Sequence, residues 1–157
     1  MTETTVSVHT HIGAPKSAAW ELLADFGRPH KYVSGVLDAH LTSTKSTGVG
    51  TVRHCDLPPM MMMKQYIVEE VTHWDEGESF TYKITDASAP VKNCHVDWRV
   101  TGDETSCRIS TKVVYTPSGF MGWMMSGMLR HVFNKQLRAG LDDIKRALEA
   151  KPQLRAA

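Results

Sequence analysis

The chain has 157 residues, 41% of them hydrophobic and 22% charged, which is enough for one domain with a substantial core. Its formal net charge is +1 with no long basic stretch, so nucleic acid has no electrostatic footprint on it. No apolar run approaches the ~20 residues that span a bilayer, and Met1–Thr5 lacks the basic and apolar regions of a signal peptide, so neither membrane insertion nor a leader is expected.

Residues 4–12 alternate loosely through Val6, Val8 and Ile12 and read as a strand. Ala14-Pro15 then opens a helix at a position where the missing proline N–H costs nothing. Ala19, Leu22, Leu23 and Phe26 give that helix one apolar face, and Gly27 with Pro29 ends it before a short helical piece over 29–33. From residue 35 the period changes. Segments near 36–44, 49–57, 64–74, 79–86, 91–101 and 105–116 are rich in Val, Thr, Tyr and Ile and are separated by Gly, Pro, Asp and Ser, as in an antiparallel meander. Phe80, Tyr82 and Ile84 form one buried face, as do Val96, Trp98 and Val100. After Pro117-Ser118, Phe133, Leu137, Leu141, Ile144 and Leu148 step at helical spacing, and one helix over 119–150 would be about 45 Å long. Its first part, Phe120 to Leu129, is apolar nearly all round and holds Gly122 and Gly127. No repeat, linker or second domain is evident, so 1–157 reads as a single domain with its core over 4–150.

Cross-strand partners share a face, so one secure face propagates through the hairpin registers. A two-residue turn at Glu76-Gly77 sets Val71 opposite Tyr82, Glu69 opposite Ile84 and His73 opposite Phe80. A loop centred on Met61 then sets Arg53 opposite Glu69 and Cys55 opposite Ile67. Thr51, Arg53, Ile67, Glu69, Val71 and Tyr82 thereby line the interior. One extra residue in the Glu76-Gly77 loop would turn Arg53 and Glu69 outward. A turn at Asp103-Glu104 pairs Trp98 with Ile109 and Val96 with Thr111, leaving Val113 and Tyr115 on the same face. The three cysteines, Cys55, Cys94 and Cys107, have no close spacing, which argues against a disulfide framework and for a reducing, cytoplasmic compartment.

The run Ile12-x-Ala14-Pro15-x-x-x-x-Trp20-x-Leu22-Leu23, then Gly48-Val49-Gly50-Thr51-Val52-Arg53, Val68-Glu69, Tyr82-x-Ile84 and the terminal amphipathic helix resemble the SRPBCC / START-like helix-grip superfamily, in its polyketide cyclase/dehydrase-like branch. The resemblance covers residues 4–150. It implies an α+β helix-grip fold: a curved seven-stranded antiparallel sheet wrapped around a long C-terminal helix, with two short helices after the first strand and a cavity between sheet and helix.

Several residues are candidates for that cavity. Arg53 with Glu69 reads either as a polar anchor, arginine donating to a carboxylate, phenolate or carbonyl, or as a structural cross-strand ion pair. Tyr82, Trp98 and Tyr115 either orient an aromatic ligand or fill core. Met60–Met63 and the Met121–Leu129 segment, with Met124 and Met128 as ligand contacts, read as a gate or as adaptable packing. His73 is a proton carrier at the rim or an ordinary surface histidine. No metal site is expected, because His9-x-His11 lacks a third ligand and the methionines lack a copper-binding pattern. No cofactor is implied.

The expected function is binding of a small hydrophobic or aromatic molecule. The alternative is a polyketide cyclase/dehydratase-like enzyme acting on a ketone-bearing substrate, with Glu69, Tyr82 or His73 moving protons; a lipid carrier is the weaker alternative.

Overall fold

The computed structural model describes residues 2–156, with side chains described as far as Ala150. Strand β1 (Thr4–Ile12) is followed by helix α1 (Lys16–Ala24) and a single 3-10 turn at Pro29–Lys31. Six strands then run β2 (Asp38–Leu41), β3 (Val52–Met60), β4 (Met63–Asp75), β5 (Ser79–Ala87), β6 (Val91–Gly102) and β7 (Cys107–Pro117). They form one curved antiparallel sheet in the order β1-β7-β6-β5-β4-β3-β2. This is the helix-grip architecture expected from the sequence.

The C-terminal helical stretch is broken where a single helix was expected. A short α2 (Gly119–Met124) stops at Met125, and α3 (Ser126–Ala156) continues for 31 residues, about 46 Å. Gly122 explains where α2 sits: a Cβ there would lie 2.8 Å from the Pro90 carbonyl oxygen, so only glycine lets the turn press onto the β5–β6 loop. Helix α3 lies against β1 and β7. Leu141, Ile144 and Leu148 are buried there, as the helical spacing requires. Lys145 Nζ donates to the His11 carbonyl at 2.7 Å, and Glu149 Oε2 accepts from the Gly13 amide at 2.9 Å.

The β4–β5 hairpin reaches the expected register by an unexpected route. Its loop is one residue longer than the two-residue turn, with Asp75 opposite Ser79 and Trp74 opposite Phe80. A bulge between Val71 and His73 absorbs the extra residue, so Val71 still faces Tyr82 and Glu69 still faces Ile84. Arg53 opposite Glu69 and Cys55 opposite Ile67 follow directly. The β6–β7 turn is two residues longer than expected, pairing Trp98 with Thr111 and Val96 with Val113. A shift of two preserves every face. Asp103 builds that turn by accepting from the Thr105 amide and hydroxyl and from the Ser106 amide.

The Gly48–Arg53 segment is the turn that launches β3. Gly48 and Gly50 both hold positive φ, at 82° and 94°, which is why glycine stands at both. The Thr51 hydroxyl donates to the Gly48 carbonyl at 2.8 Å, and the Val71 amide donates to the Thr51 carbonyl at 2.9 Å. The turn therefore fixes where Arg53 meets Glu69.

Candidate functional site

Between the inner face of β3–β6, the segment after α1 and the middle of α3 lies a cavity of about 280 Å³. Leu23, Leu57, Ile67, Phe80, Leu137 and Ile144 make its wall apolar. Arg53, Cys55, Glu69, Tyr82 and Trp98 line it from the sheet, and Tyr32 from just after the 3-10 turn. Residues 33–36 and Gln136, Ala139 and Gly140 of α3 border one side. That side is latched: the Ser34 amide and hydroxyl both donate to Asp143 Oδ2, at 2.9 and 2.8 Å.

Arg53 is held by the protein through each of its three nitrogens. Its Nε donates to Glu69 Oε2 at 2.6 Å, Nη2 lies 2.5 Å from the same oxygen, and Nη1 donates to the Phe26 carbonyl at 2.8 Å. The guanidinium carbon sits 3.9 Å from the Phe26 ring centroid and 5.1 Å from that of Tyr82. Arginine thus ties β3 to β4 and both to the chain leaving α1.

Burial alone would lower the Arg53 pKa, but the Glu69 charge outweighs it and holds the guanidinium above its ordinary value. Burial pushes the Glu69 carboxyl up, while the Arg53 charge and hydrogen bond pull it down. Burial is the larger effect, so the carboxyl lies above its ordinary value even with the guanidinium beside it.

Both contacts from Arg53 fall on Oε2. Glu69 Oε1 accepts no hydrogen bond among the described residues, although Glu69 lines the cavity and is almost wholly buried. Near it, Trp98 Nε1 donates to the Tyr82 hydroxyl at 3.3 Å, and the Tyr82 proton has no acceptor among the described residues. Burial pushes the Tyr82 phenol far up, and pushes Tyr32 up to about 12. Both are neutral hydroxyls throughout the physiological range. Burial also raises the Cys55 thiol to about 12, so it is no thiolate nucleophile at neutral pH.

The cavity thus gathers Arg53, Glu69, Tyr82 and Trp98 of the residues singled out in the sequence. Four others lie elsewhere. His73 pairs with Thr81 and is exposed, because the longer β4–β5 loop places Trp74 opposite Phe80 instead. It borders a polar hollow of about 430 Å³ on the other face of the sheet, where Asp97 already accepts from the Thr81 hydroxyl and pairs with Lys112. Tyr115 is buried under Phe133, ring centroids 4.6 Å apart, and does not line the cavity. Met124 and Met128 are exposed, since the break at Met125 turns that stretch outward.

Tyr32 was not anticipated, although an aromatic residue in the helical piece after Pro29 was a usable signal. All three cysteines are free and buried. Among the described residues, no group of three or more His, Cys, Asp or Glu is placed to hold a metal ion, and no helix is long and apolar enough to cross a membrane.

A family model described as polyketide cyclase / dehydrase and lipid transport matches residues 3–149. No curated protein matches the sequence. Among solved structures, the chain is similar to Zhui aromatase/cyclase from Streptomyces sp. R1128, with a TM-score of 0.81, 16% identity and 94% of each chain covered. It is also similar to the protein XoxI from Bacillus cereus, with a TM-score of 0.75, 21% identity and coverage of 94% of this chain and 96% of that one. Ara h 8.0201 superposes with a TM-score of 0.69 at 13% identity, covering 94% of this chain and 98% of its own. At these identities the likeness is one of fold.

Proposed function

The chain belongs to the polyketide cyclase / dehydrase and lipid transport family, and from that premise we propose that its cavity binds a small, neutral, hydrophobic or aromatic molecule with a hydrogen-bond donor at one end. The observation that carries this reading is Glu69 Oε1, a carboxylate oxygen on a cavity-lining residue that accepts no hydrogen bond among the described residues. A carboxylate oxygen left open in an apolar cavity suits a ligand that carries a donor. The Tyr82 and Tyr32 hydroxyls offer further partners. In this reading Glu69 is the anchor ahead of Arg53, whose guanidinium already donates to Glu69 and to the Phe26 carbonyl. A ligand carboxylate would meet Glu69 as a like charge.

The size of the cavity, about 280 Å³, lies just below the ~300–1,000 Å³ usual for small-molecule sites. One or two rings suit it better than a long acyl chain, which sets lipid carriage behind the other readings. The test is a thermal-shift panel comparing neutral phenols with matching aromatic carboxylates. Phenols raise the melting temperature of the wild type and less so that of Tyr82→Phe. If carboxylates stabilise and phenols do not, the assignment of Glu69 as acceptor is wrong.

A second reading is favoured by the same oxygen. A carboxylate raised by burial and free on one side is suited to take a proton from carbon beside a ketone, as an aldol-type cyclase or dehydratase requires. Tyr82 would then donate to the carbonyl oxygen. Turnover of a ketone-bearing substrate that survives Glu69→Gln in folded protein would end this reading while leaving the binding one intact.

A further inference from the structure

We propose that the end of the sheet bearing the β3–β4 turn and α2 docks on an anionic lipid bilayer. This stands apart from what fills the cavity.

Two elements protrude there. Met61 and Met62, 90% and 100% exposed, form the tip of the β3–β4 hairpin between Met60 and Met63. Phe120 and Trp123, 70% and 62% exposed with ring centroids 5.8 Å apart, project from α2 beside Met121 and Met124. Both belong to the same end of the molecule. The Ser118 amide before α2 donates to the Pro90 carbonyl in the β5–β6 loop, and Ser88 of that loop exchanges hydrogen bonds with Tyr66, close behind the methionine turn on β4.

The methionines are out of place by ordinary criteria. Met61 and Met62 both hold positive φ, 51° and 66°, in a two-residue hairpin turn whose backbone favours Asn-Gly. Solvent also disfavours them. Residues that suit neither the turn nor water suit something that covers them.

Charge selects the occupant. The segments that meet at this end, 57–68, 87–96 and 113–135, contain no Asp or Glu, in a chain holding 17 acids and 18 bases. Lys64, Lys92, Arg130 and Lys135 are exposed there, and none forms a salt bridge among the described residues. Some cations elsewhere, Lys16, Arg28, Lys83 and Arg146 among them, are paired with acids. The nearest acids stand behind the tips: Asp56 opposite Tyr66 with Asp38 beside it, Asp86 opposite Val68, and Glu3 before β1; Asp86 accepts from the Tyr66 hydroxyl.

Protruding apolar tips of flexible methionine, with one tryptophan and one phenylalanine, ringed by unpaired cations, have the form of an interfacial anchor. They bury a few ångströms into the headgroup boundary while the cations meet anionic lipid. A protein partner would call for a groove or flat patch with paired charges. Leu57 lines the cavity near the methionine end of β3, so docking brings the cavity close to the bilayer, where small apolar molecules concentrate.

The test is co-sedimentation of the full chain with phosphatidylcholine vesicles, with and without phosphatidylglycerol. Wild type sediments with the phosphatidylglycerol vesicles, and raising salt releases it. The triple change Met61→Asn, Met62→Gly and Trp123→Ser lowers partitioning about tenfold or more while circular dichroism stays native and melting falls no lower than wild type, because Asn-Gly suits the turn. Lys64→Gln with Arg130→Gln lowers binding to the anionic vesicles alone. The proposal is overturned if wild type stays in the supernatant at low salt, if the triple variant sediments as wild type does, or if neutral vesicles bind equally. It is also overturned if vesicles are not bound and the triple variant instead dissolves a self-association seen by sedimentation velocity, which would make the surface a protein interface.

Discussion

Arg53 directs both its Nε and its Nη2 at a single oxygen of Glu69, at 2.6 and 2.5 Å, and leaves the other oxygen without a partner among the described residues. The pair is therefore two things at once. On the Oε2 side it is a buried clasp joining β3, β4 and the chain after α1. On the Oε1 side it is an acceptor without a donor.

The clasp dictates the first prediction. Arg53→Met leaves the Glu69 carboxylate buried alone, and Glu69→Gln leaves the guanidinium alone; each costs about 3–5 kcal/mol of folding stability. The double variant Arg53→Met/Glu69→Leu removes both charges and recovers most of that loss. Urea denaturation of all four proteins checks this. If the single variants are as stable as wild type, the pair is not a clasp. Loss of phenol binding in the double variant, with stability restored, would separate the ligand role of Glu69 from its structural one.

The buried phenols make alkaline pH informative. Tyr32 is pushed up to about 12 and Tyr82 further, from an ordinary 10.0, so the folded state keeps protons that the unfolded state releases. Stability from these groups is fully present below pH 10 and is lost as pH rises through about 12. In melting curves taken across that window, Tyr32→Phe and Tyr82→Phe should each show a shallower alkaline decline than wild type. An unchanged slope would mean the phenols are solvated.

Much of this site was legible because strand faces repeat with period two. Phe80 and Tyr82 fixed an inner face, and Arg53 and Glu69 followed by pairing. The route was less legible. A loop one residue longer than expected should have turned both charges outward, and the bulge before His73 cancels it. A bulge has little sequence signature, being one unpaired residue in an otherwise ordinary strand. His73 lies between loop and bulge, so it alone among the candidates changed face. Tyr115 illustrates a different limit. Its face was inferred correctly, but α3 covers that part of the sheet through Phe133, and periodicity cannot locate where helix and sheet part to leave a cavity. The break at Met125 was foreshadowed by glycines and not by any apolar pattern.

One border of the cavity is fastened by Ser34 and Asp143. Asp143 accepts twice from Ser34, and these bonds with Arg146 hold its carboxyl below the ordinary value despite partial burial. Ser34→Ala removes the side-chain bond and keeps the amide one, costing about 1 kcal/mol. Hydrogen exchange should quicken at residues 33–36 while β4 and β5 stay protected. Uniform quickening across the sheet would show that the latch supports the whole fold.

The methionine turn separates stability from surface chemistry. Met61 and Met62 occupy a left-handed backbone that costs a side-chain-bearing residue roughly 1–2 kcal/mol per position, whereas asparagine tolerates it better and glycine adopts it freely. Both side chains are exposed, so replacing them loses no core contact. Met61→Asn/Met62→Gly should therefore raise folding stability by about 1 kcal/mol in urea denaturation. A gain in stability accompanied by a loss of surface binding would mean that the methionines are kept at the expense of the fold. A fall in stability would instead mean that they pack on the protein, and that the turn belongs to the core.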